Sequence, residues 1–297
     1  MKFVVVTHCY WQPLNGGLNC LMQLAKLLND KGHDSKIYVP PEHRYGYEQN
    51  AIYTNYMEYH EMDEERIAIY LDCILGNPLN AKRIVRYITY GSHWYPGYEA
   101  NEMVYYHLPF CKNNIAKKRL TPTYWPSGIK NLGLPRTNTA SYIVKKGSRY
   151  PDVRNAFSNA DNLQKIAAID IEGQSHEELI KTFNTTKYFY CYDPCCFLVI
   201  IAAMCGCVVI QYPVAGCTAD EWRYMVEMPK NGVAYGYDDL ARAEATIDLA
   251  YEECMQFKKS SEDSVDNFIK DMETEKYTYE PCYKFNESPY SLQHLDR

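Results

Sequence analysis

The run YFYCYDPCCFLVIIAAMCGCVVIQYP, Tyr188 to Pro213, reads as strand, turn, helix and strand in succession. Tyr188-Phe189-Tyr190-Cys191 is short, aromatic and apolar, as a buried strand is. Tyr192-Asp193-Pro194 interrupts it. Phe197 to Met204 is apolar on every face, which predicts a buried helix. Cys205-Gly206 stops that helix, with glycine in the usual left-handed position. Val208-Val209-Ile210 opens the next strand and Pro213 closes it. Parallel strands need such a crossover, and their ligands bind beyond the carboxyl ends of the strands. Asp193 stands where a strand ends and a helix begins.

The same pattern recurs upstream. Phe3 to Thr7 is a strand. Leu18, Leu21, Met22, Ala25 and Leu28 repeat at helical spacing up to Gly32, and Ser35 to Val39 is a second strand. Ile67 to Leu71 and Met103 to His107 read as further strands. Asn77-Pro78 predicts a helix start, Asn as cap and Pro in the first turn, running to about Tyr87. On that reading Lys82, Arg83 and Arg86 share a solvated helix face. Pro122, Pro126, Gly128, Gly133 and Pro135 crowd one interval and read as a linker. Beyond it come strands at Ala140–Val144 and Ile166–Ile171. Ser175-His176-Glu177-Glu178 is a capping box opening a helix to about Phe183. From Asp238 the chain is helical and charged, and its last aromatic stretch, Tyr277 to Phe285, is expected to pack back on the first domain. The expected division is residues 1–130, 131–260 and a helical tail at 261–297.

Composition narrows the function. The 297 residues suffice for two domains, and 46% apolar content suffices for two cores. A net charge of −6 without a Lys/Arg block argues against nucleic acid as a partner. The opening apolar run is too short for a secretory leader. No apolar run reaches the roughly 18 residues of a membrane span. The 12 cysteines include no matched C-x-x-C pairs, which disfavours zinc. Several lie in apolar elements, and reduced thiols in a cytoplasmic setting are the expectation. Oligomeric state is not legible.

A dinucleotide site is poorly matched. Asn15-Gly16-Gly17-Leu18-Asn19-Cys20 lacks the third glycine of G-x-G-x-x-G and lies too far from its strand. Glycines at a helix start instead suit close approach of a phosphate or a bulky acceptor. Gly16-Gly17, the helix after it and Lys31-Gly32-His33-Asp34 resemble the amino-terminal signature of GT-B glycosyltransferases. Asn77-Pro78-Leu79-Asn80-Ala81-Lys82-Arg83-Ile84-Val85-Arg86-Tyr87 resembles a segment of a bacterial and viral subset of them. Ser175-His176-Glu177-Glu178-Leu179, Tyr192-Asp193-Pro194 and Ala202-Ala203-Met204-Cys205-Gly206-Cys207 resemble further segments, in order along the chain.

The resemblance implies an α/β GT-B fold, two Rossmann-like domains with parallel sheets facing a cleft. It implies transfer of a hexose or deoxyhexose from a nucleotide diphosphate sugar, held by the second domain, to a glycan hydroxyl, without a bound metal or other cofactor. No D-x-D-like carboxylate pair stands beside a strand end. Retaining members carry two acids near this helix. Asp193 stands at the first position and Ile201 at the second, so the acid that holds the donor ribose is missing. The subset often has Thr where Cys196 sits.

Lys145 and Lys146 at a strand end could stabilise a leaving diphosphate, and Gly16 and Gly17 could admit it. Glu172, Gln174 and Ser175 are candidates for base or phosphate contacts. Asp193 either bonds the sugar or caps its helix. His93, in a polar loop with aromatic neighbours, and Asp72, at a strand end, are rival bases. A non-catalytic binding or scaffold protein and a nucleotide-sugar epimerase remain alternatives.

Overall fold

The computed structural model describes residues 1–7, 16–44, 47, 55–89, 102–112, 116, 118–149 and 167–274. The chain forms two compact units. One comprises Met1–Tyr124 with the described residues from Lys258 onward, the other Trp125–Phe257.

The first unit is built on β1 (Lys2–Val6), α1 (Gly16–Asp30), β2 (Asp34–Tyr38), β3 (Arg66–Leu71), β4 (Arg83–Ile88), β5 (Glu102–Tyr106) and β6 (Lys118–Arg119). The strands form one sheet in the order β2-β1-β3-β4-β5-β6, every pair parallel. Strands buried on both faces need continuous apolar runs, and β1 and β3 supply them. Gly32, at φ +86°, takes the left-handed position that ends α1.

The second unit carries β7 (Asn138–Ile143), β8 (Ile169–Asp170), α2 (His176–Thr185), β9 (Thr186–Cys191), α3 (Leu198–Met204), β10 (Val208–Gln211), α4 (Ala219–Val226), β11 (Val233–Tyr235) and α5 (Leu240–Thr246). Its sheet runs β11-β10-β9-β7-β8, again all parallel. Phe183 of α2 packs on Phe189 of β9 with ring centroids 4.9 Å apart. The stretch from Tyr188 to Pro213 is thus β9, α3 and β10, with Gly206 at φ +75° behind α3. The α/β class with two Rossmann-like parallel sheets is the one expected from the sequence.

A long helix, α6 (Ala250–Thr274), begins in the second unit and continues into the first. There Phe268 packs on Phe3 and Tyr105. Ser264 and Ser261 accept the main-chain N–H groups of Thr121 and Thr123, each at 2.9 Å. Asp271 accepts the Tyr105 hydroxyl at 2.8 Å and pairs with Lys118. The aromatic stretch at 277–285 lies outside the described residues.

One expected helix is a strand. Asn77 does accept as a cap does, from the Ala81 N–H at 2.9 Å and the Tyr70 hydroxyl at 2.8 Å, but it closes a turn. Asn80 turns the chain at φ +50°. Arg83 to Ile88 then enters the sheet as β4 between β3 and β5. Arg86 is therefore no surface residue. It and Glu102 are fully buried and paired at 2.6 Å. Arg86 also donates to the carbonyls of Ile74 and Gly76, holding the turn after β3. Of the strand expected at 166–171, Ile169–Asp170 is paired as β8, Ala167 stands at φ +50°, and Ile166 lies outside the described residues.

Candidate functional site

Chemistry-bearing side chains gather at the carboxyl edge of the second sheet. Past β7 the chain enters a 3-10 turn, Lys145–Arg149, with Lys145 at φ +37°. The turn closes on itself, Gly147 N–H donating to Val144 O and Ser148 Oγ to Lys145 O, each at 2.8 Å. It lies hard against the end of β9. A Cβ on Gly147 would stand 2.3 Å from the Tyr192 carbonyl oxygen, so only glycine fits without a shift.

Asp193 follows Tyr192 and is only 2% exposed. Its Oδ1 accepts the Cys195 N–H at 3.0 Å, and its carboxylate faces the main-chain N–H and the charge of Lys146. Burial raises its pKa. The charges of Lys146 and Lys145 and the two N–H donors oppose that shift without cancelling it. The Asp193 carbonyl receives the Gln211 Nε2–H at 3.2 Å and the Cys191 thiol at 3.3 Å. Trp222 of α4 donates to Pro194 O at 2.8 Å. Lys145, Lys146 and Asp193 are thus brought together. Both lysines are half-buried, where full exposure is what a turn leads one to expect.

Cys196 is buried beside Cys191. Burial pushes Cys195 and Cys205 up to about 12. Ile201 is in the core of α3 at 2% exposure.

The residues after β8 lie at the same sheet edge, since β8 pairs with β7. Ser175 caps α2 in a reciprocal capping box, donating its hydroxyl to Glu178 Oε2 at 2.8 Å and accepting the Glu178 N–H. Gln174 accepts from Thr182 at 3.1 Å. The Glu172 side chain is exposed, while its N–H donates to Asp170 Oδ1 at 2.9 Å.

In the first unit Gly16 and Gly17 open α1. Gly16 is exposed, and a Cβ on it would meet nothing within 4 Å, so crowding does not demand glycine there. Asp72 follows β3 at 2% exposure and accepts from Thr89 at 3.4 Å. His93 lies outside the described residues.

The sequence reading passed over His107. The Tyr87 phenol oxygen and His107 Nδ1 are 2.6 Å apart, and the Cys20 sulfur is 3.9 Å from Nε2. Burial and the charge of Arg119 lower His107 to about 4, so it is neutral at pH 7. Its place directly after an apolar strand was the available signal. Reading Tyr87 as helical concealed its partner. Among the described residues no group of three or more His, Cys, Asp or Glu side chains could hold a metal ion, and no helix is long and apolar enough to cross a membrane.

No protein-family model matches the chain, and no curated protein matches it in sequence. Among solved structures it is similar to the spinosyn forosaminyltransferase SpnP, at 11% identity and TM-score 0.45, covering 93% of this chain and 100% of that one. It is similar to an alpha-glucosyltransferase solved with UDP and a mismatched 13-mer DNA, at 9% identity and TM-score 0.44, covering 90% and 94%. It is also similar to MurG of Acinetobacter baumannii, at 10% identity and TM-score 0.44, covering 91% and 100%.

Proposed function

We propose that this chain is a GT-B glycosyltransferase that moves a hexose or deoxyhexose from a nucleotide diphosphate sugar to a glycan hydroxyl. The observation that carries the reading is the lysine turn. Two lysines stand past the end of β7, facing the buried Asp193 carboxylate past the end of the neighbouring strand β9. The carboxyl edge of a parallel sheet is where such folds bind ligands. A diphosphate leaving group gains negative charge as its bond to the sugar breaks, and fixed cations stabilise that charge.

On this reading Lys145 and Lys146 neutralise the diphosphate without a metal, and Asp193 keeps their turn in place beside the sugar. Glu172, Gln174 and Ser175, past β8, lie on the side where the nucleoside would extend. The first unit supplies the acceptor side. Gly16 and Gly17 leave α1 open to close approach, and Asp72 and His93 are its candidate bases.

A thermal-shift screen against UDP, GDP, TDP and CMP tests the reading. A ligand at about 100 times its Kd stabilises by about 2.7 kcal/mol. One nucleoside diphosphate is expected to shift the midpoint, and its sugar conjugate to be turned over with a glycan acceptor. No shift with any of them overturns the reading. Binding without donor hydrolysis or transfer favours a non-catalytic sugar-nucleotide-binding protein, a reading supported by the burial of Ile201 where the ribose acid would stand.

A further inference from the structure

Gln211 ends β10 beside Cys191 of β9 and is fully buried. Its Nε2 donates to the Asp193 carbonyl and to the Tyr212 carbonyl, each at 3.2 Å. Turning the amide over would set Oε1 against two carbonyl oxygens, so these contacts fix its orientation. Among the described residues Oε1 is then left buried with no hydrogen-bond partner. A buried acceptor without a partner is destabilising, and that cost offsets part of what the two Nε2 hydrogen bonds contribute. Core packing alone therefore does not account for an amide here.

What the amide holds does. Asp193 is gripped on both sides. Its carbonyl takes the Gln211 amide and the Cys191 thiol, and its carboxylate takes the Cys195 N–H and faces the lysines of the turn. The polar contacts thus run from β10 through Asp193 into the lysine turn, which Gly147 sets against Tyr192.

We propose that Gln211 is a positioning residue for an anion-binding turn: it fixes the Asp193 main chain, and through the Asp193 carboxylate it sets Lys145 and Lys146 for a diphosphate. The inference rests on the lysine turn being the diphosphate site.

The test is calorimetry with inorganic pyrophosphate, UDP and GDP on the wild-type chain and on Gln211→Met, with thermal unfolding and hydrogen exchange over residues 144–149. The expected result is wild-type binding of pyrophosphate and of at least one nucleotide. In Gln211→Met both affinities fall about tenfold and exchange over the turn accelerates. A residue with only a packing role would move the midpoint and leave affinity alone. Wild-type chain that binds none of the three probes removes the site and this inference with it. Wild-type binding with Gln211→Met affinity within about twofold leaves the site standing and overturns the inference. If Gln211→Met does not fold, Gln211→Asn, which draws the amide back by one methylene, is expected to give the same loss. Failure of both to fold makes Gln211 a folding residue and overturns the inference.

Discussion

Lys145 is held at φ +37°, in the region where glycine is at home and a side chain costs about 1 kcal/mol. If backbone geometry alone decided this position, glycine would serve better. Lys145→Gly is therefore expected to raise stability in urea unfolding by about that amount while weakening nucleoside diphosphate binding. A glycine variant that binds as the wild type does would leave the role to Lys146. The double change Lys145→Ala with Lys146→Ala is expected to cut sugar transfer about a hundredfold, the usual scale for losing a charge-stabilising group. Wild-type turnover in that double variant would remove both lysines from the chemistry. Asp193→Asn keeps an acceptor for the Cys195 N–H but loses the charge facing the lysines. It is expected to impair transfer and to weaken nucleotide binding, and transfer at the wild-type rate would contradict that. The lysines and Asp193 were legible because each ends a strand-like run. Gly147 was not, because its close neighbour, Tyr192, belongs to the end of another strand and local spacing carries no trace of the contact.

The segment from Asn77 to Tyr87 shows how an element can be misread from good signals. Asn followed by Pro is a true turn signal, and Asn77 does accept as a cap does. The deciding information lay in the partners of Arg83-Ile84-Val85-Arg86-Tyr87-Ile88. Charges at intervals of three suggest a wet helical face, but this sheet brings Glu102 of β5 against Arg86 and buries both. A buried charge needs its partner, and removing one member of such a pair costs about 3–5 kcal/mol. Glu102→Ala is expected to lower stability in urea by that much. Arg86→Met combined with Glu102→Leu should recover most of the loss, although the carbonyls of Ile74 and Gly76 would still lack their donor. A Glu102→Ala cost under about 1 kcal/mol would mean that water reaches Arg86. Units with one unbroken apolar signature, such as β9-α3-β10, were readable without any knowledge of partners.

At the scale of the whole molecule, two parallel sheets follow from strand–helix–strand spacing, whereas the acid response depends on burial that the sequence does not display. His107 has a folded-state pKa of about 4 against an ordinary 6.5, because burial and Arg119 disfavour its charged form. Burial lowers His33 and His176 as well. For each, the unfolded chain binds the proton first as pH falls. The stability from keeping these rings neutral is complete above about pH 6.5 and is lost as pH drops toward their folded-state values. For His107 alone the loss by pH 4 is about 3 kcal/mol. Asp193 works in the opposite sense. Its raised pKa means that protonating it below its folded-state value favours the folded chain, which offsets part of the loss at the acid end. Asp239, held at about 2 mainly by its hydrogen bond with Arg242, yields only below its ordinary 3.8 and leaves the range from 6.5 to 4 untouched. Urea unfolding measured from pH 7.5 to 4 is therefore expected to show falling stability, steepest below pH 6.5. His107→Gln keeps polar groups near Tyr87 and removes the titration. That variant should lose the larger part of the slope between pH 6.5 and 4. A slope equal to the wild type would mean that His107 is protonated in the folded chain, and that the contact between the Tyr87 phenol oxygen and Nδ1 is made by an imidazolium donating to the phenol.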